Sequence, residues 1–222
     1  MKYKIISTGS RGNALLLDDC ILIDCGVSFN KLKEYYKKIK LVLLTHIHSD
    51  HFNKTTIKKL AEERPTLRFG CCEWLVEDLI KCGVNKKNID VYKINTNYVY
   101  LRKYEKQLVV KPILLYHNVN QCGYKVFIDD KKCIYCTDTY TLEGISAKNY
   151  DYYFIEANYE ENEIKERIKA KEVLGIYAYE KDALLNHLSK EKCDEFLINN
   201  MGEKSHYEYM HQHIEDKEVK DE

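Results

Sequence analysis

Leu41-Val42-Leu43-Leu44-Thr45-His46-Ile47-His48-Ser49-Asp50-His51 is the stretch on which the reading of this chain turns. Its consecutive apolar residues make a run of strand length, of the kind buried on both faces, and the run delivers the polar residues after it into a loop. His46 and His48 stand two apart, and Asp50 and His51 come at once behind them. At a strand end such spacing can turn all four side chains toward one space. Imidazole and carboxylate together suit zinc, manganese or iron. A polar loop rich in histidine by chance is a poor account of so dense a cluster behind a buried strand.

The bulk numbers bound the rest. At 222 residues the chain suits one domain with a substantial core, expected over 1–213, with 214–222 a charged tail that frays. Apolar residues are 45% and charged residues 32%, an ordinary folded balance. Lys+Arg and Asp+Glu are both 35, so a broadly basic surface that coats nucleic acid is not indicated, although a local basic groove stays open. Neither a secretory signal nor an apolar stretch of the ~20 residues a membrane span needs is visible. The nine cysteines therefore read as reduced thiols of a cytoplasmic protein with no membrane partner. Cys133-x-x-Cys136 has no second pair, and its two thiols would leave opposite faces of a strand, so it does not make a four-ligand zinc knuckle. Lysine in excess of arginine, with abundant Tyr, Ile and Asn, points to the AT-rich genome of a bacterium or its phage.

Along the chain, periodicity predicts strands at 3–7, 14–17, 20–23, 41–44 and 67–70, several within 91–116, then 123–129, 133–137, 152–155 and a last short one at 205–210. Helices are expected at 28–38, 54–63, 73–81, 162–178, 181–188 and 190–201. Two groups of strands with helices between them make an α/β (α+β) sandwich covered by helices.

The loop reads His-x-His-x-Asp-His, and with it the chain resembles the metallo-β-lactamase superfamily, which implies a four-layer αβ/βα sandwich. Asp24-Cys25-Gly26 looks like the family's early Asp-x-Gly, with Asp24 orienting ligands from behind. His117, after an apolar run, is similar to the next ligand. Cys136-Thr137-Asp138-Thr139 resembles Gly-Asp-Thr with a cysteine in place of the glycine, and Asp138 would be the bridging acid. Glu156-Ala157-Asn158 resembles His-Glu-Ala-Thr of tRNase Z-like phosphodiesterases and, more closely, Glu-Ala-Asn of VicX/YycJ-like nucleases. His187-Leu188-Ser189 resembles their His-Leu-Ser. Tyr209-Met210-His211 stands where they have a strand and the last ligand. His187 is an alternative last ligand, but a ligand histidine should leave a strand and His187 sits in helical context, which favours His211. The turn at 7–13 resembles Ser-Gly-Ser-Lys-Gly-Asn, bringing Ser10 and Asn13 toward substrate together with Asn158 and His213. His206 is read as a surface residue.

The resemblance implies two divalent metal ions, zinc first with manganese or iron compatible. His46, His48 and His117 would hold one, and Asp50, His51 and His211 the other, with Asp138 and a hydroxide bridging them. Asp50 would orient the hydroxide, and His187, held by Glu156, would protonate the leaving oxygen. That acid–histidine pair points to phosphodiester hydrolysis, with nucleic acid as first substrate and a cyclic nucleotide as the alternative. A homodimer is a common state of related folds. Maturation of tRNA 3′ ends is discounted because only 20 residues separate His117 from Asp138, too few for the usual long arm. Glyoxalase II-like thioester hydrolysis is discounted for want of an added helical substrate-binding region. Residues 55–110 and 160–185 read only as scaffold.

Overall fold

The computed structural model describes residues 1–101 and 107–212. A first six-stranded sheet holds β1 (Tyr3–Ser7), β2 (Ala14–Leu17), β3 (Ile21–Ile23), β4 (Leu41–Leu43), β5 (Arg68–Cys72) and β6 (Ile89–Tyr92) in that spatial order. Its first three strands pair antiparallel, and β3 through β6 run parallel. The second sheet runs β12 (His206–Met210), β11 (Tyr152–Glu156), β10 (Lys131–Cys136), β9 (Cys122–Ile128), β8 (Gln107–Leu114) and β7 (Tyr98–Leu101). Here β12, β11 and β10 are parallel and the rest antiparallel.

Alternation along each strand sorts its side chains into layers. On β2, Leu15 and Leu17 enter the core between the sheets, where they meet Val110, Tyr124, Val126 and Phe154 of the second sheet. Ala14 and Leu16 face the other way, onto α1 (Phe29–Leu32), α2 (Lys54–Glu63) and α3 (Val76–Lys81). On the far side, Ile134, Tyr153 and Ile155 pack against Cys193, Phe196 and Leu197 of α6 (Lys190–Asn200). Helix, sheet, sheet, helix is the four-layer α/β sandwich expected. Cys133 and Cys136 fall into different core clusters, on opposite faces of β10. Burial pushes the Cys133 thiol up to about 12, which leaves it a neutral packing group.

Some element bounds differ from expectation for local reasons. The 28–38 helix is only α1, because Leu32 is the one residue it buries, and the chain continues in turns to Lys38. The 73–81 helix begins as a tight turn at Glu73–Leu75 before α3. The 162–178 helix stops as α4 (Glu161–Val173), since Gly175 takes φ +65 and the amide of Ile176 reaches back to the carbonyl of Lys171, a helix-ending pattern. The next helix is α5 (Glu180–Asn186), so His187 stands just past a helix, with extended φ −128 and ψ 160, rather than inside one. The charged tail expected at 214–222 lies outside the described residues.

Three loops are laced together at one end of the first sheet. The amide of Asn13 donates to the carbonyl of Asp50 at 2.6 Å, that of Cys25 to His51 at 2.9 Å, and that of Gly26 to Asn13 at 2.9 Å. A Cβ on Gly26 would lie 1.7 Å from the Asp50 carbonyl oxygen, so only glycine lets the 45–51 loop sit this close. Gly26→Ala is therefore expected to push that loop outward at a cost of about 1–3 kcal/mol, the range for overpacking. Urea denaturation checks it, and an unchanged midpoint would contradict the loop lacing.

Candidate metal centre

The site is assembled where strands stop. Asp24 comes just after β3, the 45–51 loop after β4, His117 after β8, Asp138 after β10 and His211 after β12, while Glu156 ends β11. Asp24, Asp138 and His211 have left-handed backbones, with φ of 59, 54 and 52. Aspartate and histidine tolerate that region better than bulky or branched residues, and it swings each side chain across the strand end.

One cluster is made of His46, His48 and His117. Their proton positions are set by their partners. The Thr45 hydroxyl donates its one proton to Asp24 Oδ1 at 2.9 Å, so it accepts from His46 Nδ1 at 3.0 Å. His117 Nδ1 can only donate to the carbonyl of Asn186, 3.0 Å away. Both Nε2 atoms therefore present lone pairs, and both face His48 Nδ1, at 3.1 and 3.2 Å. Burial keeps His46 well below the ordinary imidazole range and lowers His117 to about 4, so neither carries a proton that could bridge them at neutral pH.

The second cluster is Asp50, His51, Asp138 and His211. His51 Nδ1 donates to Asp24 Oδ2 at 2.7 Å, which turns Nε2 toward Asp138 Oδ2 at 2.8 Å. His211 Nε2 lies 3.2 Å from Asp50 Oδ2 and 3.3 Å from Asp138 Oδ1. Burial works against charge on His51 and His211, but the carboxylates together outweigh it, Asp138 and Asp24 raising His51, and Asp138, Asp50 and Glu156 pushing His211 up to about 9. Asp50 stays a carboxylate, because His211 and His51 overcome the effect of its burial.

These donors fit metal ions. Asp138 Oδ2 is fully buried and, despite its short approach to His51, has no hydrogen bond in proper geometry. The 3.1 and 3.2 Å nitrogen separations match the ~3.3 Å expected between neighbours of a tetrahedral ion with ~2.0 Å bonds. The outward nitrogens of His46, His51 and His117 are each fixed by a hydrogen bond, as metal-binding imidazoles require. His/Asp clusters of this kind call for divalent metal.

Beside them lies Glu156. Its Oε1 accepts from His187 Nδ1 at 2.6 Å, and its Oε2 accepts from the amides of Thr139 and Leu188 at 2.9 and 3.2 Å. His187 stacks on His211, ring centres 5.3 Å apart and planes 14° apart. Burial of His187 opposes its charge, yet the hydrogen bond and charge of Glu156 raise its pKa.

Of the remaining residues read from sequence, Asp24 is fully buried and accepts from the Thr45 amide and hydroxyl, His51 and Tyr135. Asn158 Nδ2 donates to the His211 carbonyl at 2.9 Å and meets its Nδ1 at 3.1 Å. Asn13 is fully buried and ties Gly9 to the Asp50 and His51 end of the loop rather than facing the cleft. Ser10 is exposed at the cleft margin, and His206 is exposed and stacked on Tyr152. His213 lies outside the described residues.

A cleft of about 630 Å³ opens on Asp50, Asp138, His187 and His211, and its far wall is α4 and α5, with Ile164, Arg167, Tyr179 and Ala183. Residues 160–185 are thus a wall of the site and not scaffold alone. Sequence carries little signal for this, since α4 buries only Ile164 and has no apolar stripe to betray its seat. Tyr135, whose hydroxyl reaches Asp24 from the second sheet, is equally hidden in a buried strand.

Comparison with known proteins gives a consistent frame. A family model described as the beta-lactamase superfamily domain matches residues 20–179. The metallo-beta-lactamase fold protein YhfI from Bacillus subtilis superposes with a TM-score of 0.68 at 15% identity, over 96% of this chain and 87% of that one. The short form of human tRNase Z superposes with 0.66 at 12% identity, over 96% and 93%. A diphosphatase of the PhnP family gives 0.60 at 14% identity, over 95% and 86%. No curated protein matches by sequence.

His211, raised to about 9 by its carboxylate neighbours, is protonated at neutral pH, and an ion must displace that proton. Metal affinity is expected to rise with pH up to about 9, with acid released on binding. Calorimetry in buffers of different ionisation heat measures this, and no proton release at pH 7 would count against His211 as a ligand. Asp24→Asn should weaken metal affinity by roughly 10–100-fold, the usual effect of losing a partner behind a ligand. Competition with a chromophoric chelator reads it directly.

Proposed function

The chain belongs to the beta-lactamase superfamily as a hydrolase, and on that premise we propose that the bond it hydrolyses is a phosphodiester in nucleic acid or a nucleotide. The observation that carries the reading is Glu156 Oε1 at 2.6 Å from His187 Nδ1, a pair that groups with Asp138 and His211 at the edge of the second cluster. An alkoxide leaving from phosphorus needs a proton, whereas a thiolate leaving from a thioester needs none. A buried glutamate hydrogen-bonded to a cleft-facing imidazole supports the first.

His46, His48 and His117 would hold one divalent ion, and Asp50, His51 and His211 the other, with Asp138 between them. Zinc suits these ligands first, with manganese or iron compatible. When bound, such ions supply positive charge to the phosphoryl oxygens and a hydroxide near neutral pH.

The protein's own groups do the remainder. Asp24 fixes the His51 tautomer, and Asn158 orients His211 by holding its backbone carbonyl. Asp50 Oδ2, ionised and part-exposed to the cleft, orients the attacking water and takes its proton. Glu156 favours the charged form of His187, and since Nδ1 is committed to Glu156, Nε2 is the atom left to protonate the leaving oxygen. General acid help of this kind contributes ~10²–10⁴-fold.

The second reading, thioester hydrolysis, gains from one observation. The sequence shows no added helical substrate-binding region, yet α4 and α5 wall the cleft. The two readings separate by leaving group. His187→Ala is expected to lose ~10²–10⁴-fold on a phosphodiester with an alkyl leaving group and far less on bis(p-nitrophenyl) phosphate, whose leaving group needs little protonation. Steady-state rates on both substrates, with metal content measured alongside, test this. Equal losses on the two would remove His187 as the acid.

A further inference from the structure

We propose that the space beneath α4 and α5 is the leaving-group subsite, and that it selects a neutral leaving alcohol of nucleoside size, one bearing no phosphate of its own. This rests on the reading of His187 as the general acid. His187 lines the same cleft as α4 and α5, so the oxygen it protonates belongs to whatever occupies that space.

The chemistry of the wall sets the occupant. Its carboxylates are Glu160, Glu163, Glu180 and Asp182, and its cations are Arg167 and Lys190. Both cations are committed to carboxylates. Lys190 Nζ lies 2.8 Å from Glu160 Oε1, and Arg167 Nη2 lies 3.5 Å from Glu163 Oε2. Contacts to phosphate are made by Lys and Arg, and both are engaged here; Glu180 is in turn paired with Lys171 Nζ at 2.6 Å, so the wall grips a further phosphate weakly and repels it chiefly through Asp182. Beside the amides of Asn158 and Asn186, the wall offers aromatic and aliphatic surface from Ala157, Tyr159, Ile164, Tyr179 and Ala183. The whole cleft, at about 630 Å³, lies within the range that encloses small molecules, and α4 and α5 line the part of it next to His187.

The consequence is a direction of cleavage. Water forms a new bond to phosphorus, the bond from phosphorus to the enclosed alcohol breaks, and that alcohol leaves with the proton of His187. The phosphate stays on the other, unenclosed fragment. A terminal nucleoside of a chain, or one half of a small diester, meets these terms, and an internal phosphodiester does not.

The test uses the metal-loaded protein and a dinucleoside monophosphate of deoxyadenosine, alone or with an added phosphate at its 5′ or its 3′ end. Chromatography of the products of the unmodified compound identifies which half emerges as nucleoside. A phosphate added to that half is expected to slow turnover at least about tenfold, through like-charge repulsion, and one on the other half to leave it within twofold. Asp182→Lys is expected to narrow that discrimination. Equal tolerance of both phosphates, with bis(p-nitrophenyl) phosphate still hydrolysed, overturns the subsite while the phosphodiesterase reading stands. Silence on every phosphodiester overturns the phosphodiesterase reading instead. Calorimetry with deoxyadenosine then decides the subsite: binding that is lost in Ala183→Trp retains it as a neutral-ligand pocket, and no binding to the unaltered protein rejects it.

Discussion

The loop that carries His46, His48, Asp50 and His51 depends on one carboxylate. Asp24 is fully buried and takes hydrogen bonds from four donors: the Thr45 amide, the Thr45 hydroxyl, His51 Nδ1 and the Tyr135 hydroxyl. A buried charge survives only when its lone pairs are satisfied, and these donors satisfy them. The same bonds fix both ends of the 45–51 loop. Through Thr45 they set the tautomer of His46, and through Tyr135 they join the loop to the second sheet. One side chain thus sets the register of the two halves of the sandwich where the site is formed.

The two clusters differ in charge by construction. Around His46 and His117 burial dominates, and both imidazoles are held neutral. Around Asp138 the carboxylates dominate, and His51 and His211 are driven toward the charged form. Until a divalent cation binds, those protons supply the positive charge that it would bring. Left-handed Asp138 and His211 serve the same close packing, because a strand end must turn sharply to bring both onto one centre.

Much of this is legible in the residues. Each metal-facing group sits just after an apolar run, so periodicity places the strands and the polar residue beyond each run announces itself. The Glu156–His187 pair can be read because both lie in short motifs. The features hidden from sequence rest on backbone groups or on packing without pattern. His117 is aimed by the carbonyl of Asn186, which any residue could provide. Asn13 reads as a substrate residue because the 7–13 turn resembles Ser-Gly-Ser-Lys-Gly-Asn, whereas here the loops close over it. The helix stop at Gly175 is hidden because apolar residues, Val173-Leu174 and Ile176-Tyr177, continue on both sides of it as they would in a longer packed helix, and with it are hidden the position of His187 and the role of the α4–α5 wall.

The bond from His117 to Asn186 also has a thermodynamic side. Asn186 is the last residue of α5, and α5 bounds the cleft, so the helix that touches an occupant also grips an imidazole of the first cluster. Two ligands that bear on one shared element influence each other's affinity by the same factor. An ion held by the first cluster and an occupant of the cleft would both bear on α5, so each would alter the other's affinity through a single main-chain carbonyl.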